Sequence, residues 1–167
     1  GFFVSVEDTA NQFEGRALDN VYASAYFPNI VFDDQVNQRR VTEPASVGAM
    51  AAIGFNDRVA FPWFAPAGFN RAALDFVDLT EVRINQPERE RLFDVNINPI
   101  VKYPREGFVV MAQNTLEQAG TALQKINVVR MLNDVKRQIV NIGNRSIFEQ
   151  LTPEIRATLA DQFRNVL

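Results

Sequence analysis

The chain contains neither cysteine nor histidine. Without cysteine there is no disulfide framework and no thiol chemistry. Without histidine the usual general base of hydrolases is missing, and so is the commonest transition-metal ligand. A Ser-His-Asp triad cannot be built from these residues. Serine is scarce as well: the four, at positions 5, 24, 46 and 146, include none in a G-x-S-x-G elbow. No glycine-rich loop leads into Lys-Ser/Thr, so there is no P-loop. No apolar run approaches the roughly 20 residues that cross a bilayer. The start, Gly1-Phe2-Phe3-Val4, has neither the basic segment nor the small-residue cleavage site of a signal peptide. What the chain does have is apolar area. Of its 167 residues 47% are hydrophobic and fourteen are phenylalanine, enough for one large domain or two small ones. Each fully buried Phe contributes roughly 1.5–3 kcal/mol, which argues for a packed core rather than disorder.

Periodicity and punctuation set the order of elements. Residues 1–6 read as a short strand and the polar residues 7–20 as a loop. Residues 21–32 are apolar and aromatic but interrupted by Pro28, which predicts a buried strand ending near Phe27. Residues 33–43 are a polar excursion, a surface hairpin or loop. A run of small residues, 47–55, can pack closely on a sheet, with Ser46 as N-cap and Asn56-Asp57 as its end. Residues 63–71 form a loop punctuated by Pro66 and Gly68, and residues 76–84 alternate well enough for a half-exposed strand. Asn85-Gln86-Pro87-Glu88 is a helix start, and that short helix ends near Val95. Two strands follow, 97–103 and 108–112, separated by Pro104 and Gly107.

From Asn114 onward the period changes from 2 to 3.6. Val128, Met131, Leu132, Val135, Ile139 and Ile142 share one helical face, with Asn127 as cap. Thr152-Pro153-Glu154 starts a second helix, whose apolar stripe is Ile155, Leu159, Phe163 and Val166. The chain begins without Met and stops at Leu167 inside that stripe, so it reads as a piece of a longer polypeptide. The predicted fold class is α/β: a mixed, mostly parallel sheet layered with helices, followed by a small helical C-terminal region.

Candidate chemistry is thin. Asp33-Asp34 falls in the polar excursion, where solvated side chains are the default. Glu88-Arg89-Glu90-Arg91 alternates in sign on one short helix and predicts surface ion pairs of about 0.2–0.5 kcal/mol each. Trp63 and Phe64, flanked by prolines, read as rings anchoring their loop on the core rather than as a sugar or peptide platform. The C-terminal basic residues are singly spaced, without aromatic interleaving, in a chain of net charge −3, which argues against nucleic acid. Charge is nonetheless divided. Residues 1–100 hold 8 Lys+Arg against 14 Asp+Glu, whereas residues 101–167 hold 9 against 6. Small domains often differ this much, but the division also suits contact with a differently charged neighbour or with further copies of the chain.

Short motifs follow one another in a fixed order. Pro62-Trp63-Phe64-Ala65-Pro66-Ala67-Gly68-Phe69-Asn70-Arg71 comes first, then Asn96-Ile97-Asn98-Pro99-Ile100. After Tyr103-Pro104 come Gly107-Phe108-Val109-Val110 and Asn114-Thr115-Leu116, and last Asn127-Val128-Val129-Arg130-Met131-Leu132. Together, from about Pro44 to Glu149, they resemble the tail sheath proteins of contractile phages and related injection machines. The matching positions are Pro66, Ala67, Gly68, Asn98, Pro99, Gly107, Thr115-Leu116, Asn127-Val128 and Arg130. Two departures stand out: the usual Trp-Gly before Thr-Leu is Met111-Ala112, followed by Gln113-Asn114, and the first of the family's paired arginines is Val129.

The resemblance implies that residues 1–113 are the end of the subtilisin-like sheath domain and residues 114–167 a truncated C-terminal sheath domain. It implies a structural, non-enzymatic subunit without cofactor or metal that polymerises as hexameric rings around an inner tube and contracts to drive the tube through a cell envelope. The implied partners are further copies of itself, the tail tube protein, and baseplate and tail terminator proteins, with no small-molecule substrate, nucleic acid or membrane insertion. The implied location is the virion tail, with assembly in the host cytoplasm. The structural or interface residues this points to are Trp63, Pro66, Gly68, Asn98, Pro99, Arg130, Arg137 and Arg145. On the helix near Asn127, Arg130, Arg137, Asn141 and Arg145 oppose the apolar face; the resemblance puts the C-terminal domain near the tube, and the arginine-bearing face is the one expected to meet it. The alternatives are the sheath of a bacterial machine (an R-type bacteriocin or a secretion-type injector), a subtilisin-fold hydrolase, and a ligand-binding α/β domain.

Overall fold

The computed structural model describes residues 5–15, 18–150 and 152–166. It divides into two compact units, residues 1–129 and 130–167. In chain order the elements are α1 (Val6–Glu14), β1 (Ala25–Phe27), β2 (Ile30–Asp34), β3 (Arg39–Glu43), α2 (Ala45–Val59), β4 (Leu79–Thr80) and α3 (Gln86–Asp94). They continue with β5 (Ile97–Tyr103), β6 (Gly107–Val110), a 3-10 turn (Ala122–Gln124), α4 (Ile126–Arg145) and α5 (Pro153–Arg164).

The first unit is built on the sheet β1-β5-β6, in which β1 and β5 run parallel and β5 and β6 antiparallel. Parallel neighbours need a crossover, and here it is long: β2, β3, α2, β4 and α3 all lie between them. Side chains alternate across β5. Ile100 packs with Ala45 and Ala52 of α2, and with Ile30, Phe108 and Val110. Ile97, three positions earlier, packs on the other side with Val6 of α1, Leu92 of α3 and Phe27. The result is three layers, with α2 on one face of the sheet and α1 and α3 on the other. A second sheet, β3-β2-β4, is antiparallel throughout and joins the α2-side core through Ile30.

Helix α2 turns Ala45, Gly48, Ala49, Ala52 and Asn56 inward. The absence of side chain at Gly48 matters, since a Cβ there would sit 2.9 Å from Leu74 Cδ1. Helix α3 carries a full capping box: Asn85 accepts from the Glu88 N–H while Glu88 accepts from the Asn85 N–H. In α5 the Thr152 hydroxyl accepts from the Ile155 N–H, with Pro153 in the first turn.

Several sequence expectations are corrected. Residues 7–20 are not all loop: α1 occupies 6–14, with the Ser5 hydroxyl accepting from the Asp8 N–H. Of the strand expected over 1–6, Ser5 is that cap and Val6 the first helical residue; positions 1–4 lie outside the described residues. Residues 33–43 form the expected surface hairpin, but Asp33 and Asp34 are the last residues of its strand β2 rather than part of the turn. Asp33 pairs with Arg40 across the β2–β3 hairpin at 3.1 Å. Ser46 does not cap α2, whose N-cap is Pro44 without a side-chain bond, and Asn56 lies buried inside that helix, which continues to Val59. The strand expected over 76–84 shrinks to Leu79–Thr80, because residues 78–81 bond only the short stretch of β2 beyond Pro28. Asn127 is not a cap but the second residue of α4. Its own N–H is met by the Gln113 side chain from a distant segment.

The second unit holds the rest of α4 and α5. Among its described residues no apolar side chain is fully buried. Met131, Leu132 and Ile139, on the expected apolar face of α4, are exposed, and Ile155, Leu159 and Phe163 of α5 are half-buried.

Candidate interaction surfaces

The described residues do not converge on a reactive centre. Ser5 caps α1 and bonds Asp8, Ser146 donates to the Ile142 carbonyl, Ser46 sits in the first turn of α2, and Ser24 precedes β1. Among the described residues no group of three acidic side chains is placed to hold a metal, and no helix is long and apolar enough to cross a membrane. The carboxyls held below their ordinary range are structural groups, Glu14 and Glu154 exposed and Asp34 half-buried. Glu14 is lowered by its hydrogen bond from Arg91, Asp34 by the Asn37 side chain in its turn, and Glu154 by its own backbone N–H and Thr152 at the start of α5.

The sequence-selected residues separate into two kinds. Asn98 and Pro99 are structural. Asn98 is fully buried; its Nδ2 donates to the Ala25 and Asn114 carbonyls at 3.0 and 2.8 Å, and its Oδ1 accepts from the Asn114 N–H at 2.6 Å. One side chain thus ties β1, β5 and the segment before the 3-10 turn together. Pro66 is buried, and Gly68 turns the loop in the left-handed region (φ +83°) with its N–H on the Val110 carbonyl at 2.9 Å. That bond extends the pairing of residues 72–74 along the outer edge of β6.

Trp63 is different. The expectation of rings pinned to the core is overturned, since Phe61, Trp63 and Phe64 keep 59, 40 and 41% of their surface exposed. They pack chiefly on one another. The Phe61 and Trp63 rings stack in parallel with centroids 4.7 Å apart, Phe64 also stacks on Phe61 at 6.3 Å, and the Arg71 guanidinium covers Phe64 at 5.3 Å. The loop is held instead by backbone groups: the Ala65 carbonyl takes the Arg71 Nε–H and the Trp63 carbonyl the Asn127 side chain. Continuing along α2, Arg58 covers the exposed Phe55 ring at 5.4 Å, and Val59 and Met50 are exposed. The composition, aromatic rings with arginine, is that of an interface centre rather than of ordinary surface.

Beside α3 lies a groove of about 500 Å³ lined by Phe69, Phe93, Tyr103, Met111 and Pro99, with the charged side chains of Arg89, Glu90 and Asp94 along it. Phe69 meets Tyr103 edge-on at 4.9 Å, and Arg89 donates to the Tyr103 hydroxyl at 2.7 Å. The sequence did carry a signal for it: in Leu92-Phe93 on a helix only one of two adjacent apolar residues can face the sheet, and Phe93 faces out. The expected ion pairs within Glu88–Arg91 do not form. Arg89 serves Tyr103, Glu88 serves the cap, and Arg91 reaches α1, bonding Glu14 at 2.6 Å and Asn11 at 3.1 Å.

On α4, Arg137 and Arg145 are exposed and Arg130 half-buried. Arg137 and Gln138 both donate to Asp134, so the one acid on that face is satisfied within its own helix.

No protein-family model matches the chain. Over 116 residues, 70% of its length, it is 32% identical to the tail sheath protein of Vibrio phage KVP40 and 27% identical to that of Enterobacteria phage T4. The matched stretch spans 17 and 18% of those relatives. In fold it is similar to a chain of the anti-feeding prophage baseplate (TM-score 0.76, 21% identity, 89% of this chain and 39% of that one). It is similar also to a chain of the same system's helical sheath in the contracted state (0.75, 21%, 89% and 40%). A third likeness is to the PVC sheath complex, in the contracted state, of an extracellular contractile injection system (0.77, 17%, 98% and 43%).

Proposed function

Over 116 of its residues this chain is a homologue of phage tail sheath proteins, and from that premise we propose that it serves as a structural element of a contractile tail sheath. The observation that carries the reading is the 32% identity to the KVP40 sheath protein along 70% of the chain. In this reading copies polymerise as stacked hexameric rings around an inner tube, and contraction drives the tube through a cell envelope. The element is mechanical and not enzymatic. The energy of the stroke lies in the difference between two sets of subunit contacts, a bistable interface that needs no nucleotide.

Its partners are further copies of itself, the tail tube protein, and baseplate and tail terminator proteins; its place is the virion tail, with assembly in the host cytoplasm. The division into 1–113, the end of the subtilisin-like domain, and 114–167, the C-terminal domain, belongs to the same reading. Arg130, Arg137 and Arg145 meet acidic patches on the tube through contacts that can release. The exposed apolar faces of α2 and α4 support a life in assemblies, since such patches mark interaction surfaces. The sheath of a bacterial injection machine is the second reading, favoured by the fold likeness to the anti-feeding prophage and PVC chains.

Electron microscopy of the full-length protein expressed alone tests the proposal. Hollow polymer tubes are the expected result, and monodisperse globules overturn it.

A further inference from the structure

A second groove, of about 390 Å³, lies between β4 with the residues that follow it and the β5–β6 hairpin. Leu79, Ile84, Ile100 and Phe108 give it an apolar lining, Arg83 and Lys102 add two cations, and no acid lines it. The lining reaches into the core, since Ile100 and Phe108 belong to the α2-side cluster and keep only 1 and 5% of their surface exposed. Arg83 and Lys102 are both exposed, and the Lys102 ammonium stands 5.3 Å from the centre of the Phe108 ring. Among the described residues neither cation enters an ion pair. Glu81 accepts from the Asn29 amide at 2.9 Å, and neither it nor Glu106 lines the groove. Residues 1–129 hold 11 Lys+Arg against 16 Asp+Glu, so the groove carries the sign opposite to the net charge of that stretch.

We propose that this groove is a binding site for an amphipathic anion, an aliphatic chain that ends in a carboxylate. Its volume falls within the range of about 300–1,000 Å³ for small-ligand clefts, in which an apolar lining carries a few polar groups that fix orientation. The aliphatic chain lies on Leu79, Ile84, Ile100 and Phe108, which removes apolar surface from water on both sides. The carboxylate takes charge-assisted hydrogen bonds from Arg83 and Lys102, and a guanidinium can offer it two parallel N–H donors. The sign of the head group follows from the lining: two cations without an acid favour an anion and repel a cationic amphiphile of the same length. The site is contained in the first unit and goes beyond the sheath reading, on which it does not depend.

Equilibrium dialysis of radiolabelled decanoate against the full-length protein at low salt tests the proposal. One saturable site per chain is expected, from which unlabelled decanoate displaces the label while acetate and decyltrimethylammonium do not. Arg83→Gln and Lys102→Gln are each expected to weaken binding about two- to fivefold, the range of an exposed ion pair, and the double variant to weaken it further. Both side chains are exposed, so far-UV circular dichroism should be unchanged. Should a variant misfold, competition by decyltrimethylammonium on the wild type still decides. Displacement by that cation as effective as by decanoate, a folded double variant that binds like wild type, or the lack of a saturable site overturns the proposal. Binding that is lost when the protein polymerises overturns it too, because the groove is then covered by another copy.

Discussion

Asn98 holds three segments of chain with one side chain, bonding the N–H and carbonyl of the buried Asn114 and the carbonyl of the half-buried Ala25. Asn98→Ala removes both donors and the acceptor at once, leaving two carbonyls and an N–H to be desolvated unpaired. The expected loss is about 3 kcal/mol, given costs of about 1–3 kcal/mol for a buried group left without a partner, read from urea unfolding midpoints. Asn98→Asp is expected to cost at least as much, because it exchanges the donors for a buried negative charge. Trp63→Ala should behave in the opposite way. A core anchor truncated to Ala costs about 3–5 kcal/mol, but this ring keeps 40% of its surface exposed and rests on Phe61. The expected loss is about 1 kcal/mol, a shift of about 2–4 °C in thermal unfolding for a chain of this size. A much larger drop would return the ring to the core. Both residues sit in motifs visible in the sequence. Asn98 is structural and Trp63 is surface because of what each meets across the fold, and a motif does not contain that.

Among the elements, the starts of α3 and α5 were legible to the residue, because they are encoded within four positions by Asn85-x-x-Glu88 and Thr152-Pro153. Helix α1 was missed although Ser5 caps it and Val6, Ala10 and Phe13 recur at helical spacing. Its polar composition reads as loop until Leu92 and Ile97 supply the surface that Val6 covers. The same helix is joined to α3 by Arg91, which holds the Glu14 carboxyl below its ordinary value of 4.5. A depressed carboxyl contributes stability that is present above its unfolded value and is lost as pH falls through the folded one. The α1–α3 ion pair should therefore be intact above about pH 4.5 and weaken below it. In Arg91→Gln the Glu14 titration midpoint, followed by NMR, is expected to rise toward the ordinary value. In α2 the two glycines separate by environment. Gly48 faces Leu74 and Ile30, whereas Gly54 is exposed with open space around its Cα. Gly54→Ala should stabilise by about 0.5–1 kcal/mol, the helix-propensity difference, measured by chemical denaturation.

At the scale of the whole molecule the charge is divided, net negative over residues 1–100 and net positive over 101–167. If Arg130, Arg137 and Arg145 contact the tube, reversing all three to Glu should weaken co-assembly of the full-length protein with tube protein, and raised salt should imitate the effect, since exposed pairs are worth about 0–1 kcal/mol each and are screened. A triple variant that co-assembles normally at every ionic strength would remove the arginines from that role. The sequence by itself determined the class of molecule: no cysteine, no histidine, a large apolar content, and a serial order of short motifs shared with the phage sheath proteins. Those are properties of composition and of neighbours within a few residues, which the chain carries before it folds. Tertiary structure alone decided which apolar groups are covered. Phe93 and Trp63 are as hydrophobic as Phe27 and Leu92, yet the first pair is left at the surface and the second is enclosed. Burial depends on pairing β1 with β5 across some seventy residues and on the α2 and α3 layers that this pairing places on opposite faces of one sheet, since only long-range packing settles which side of each helix meets water.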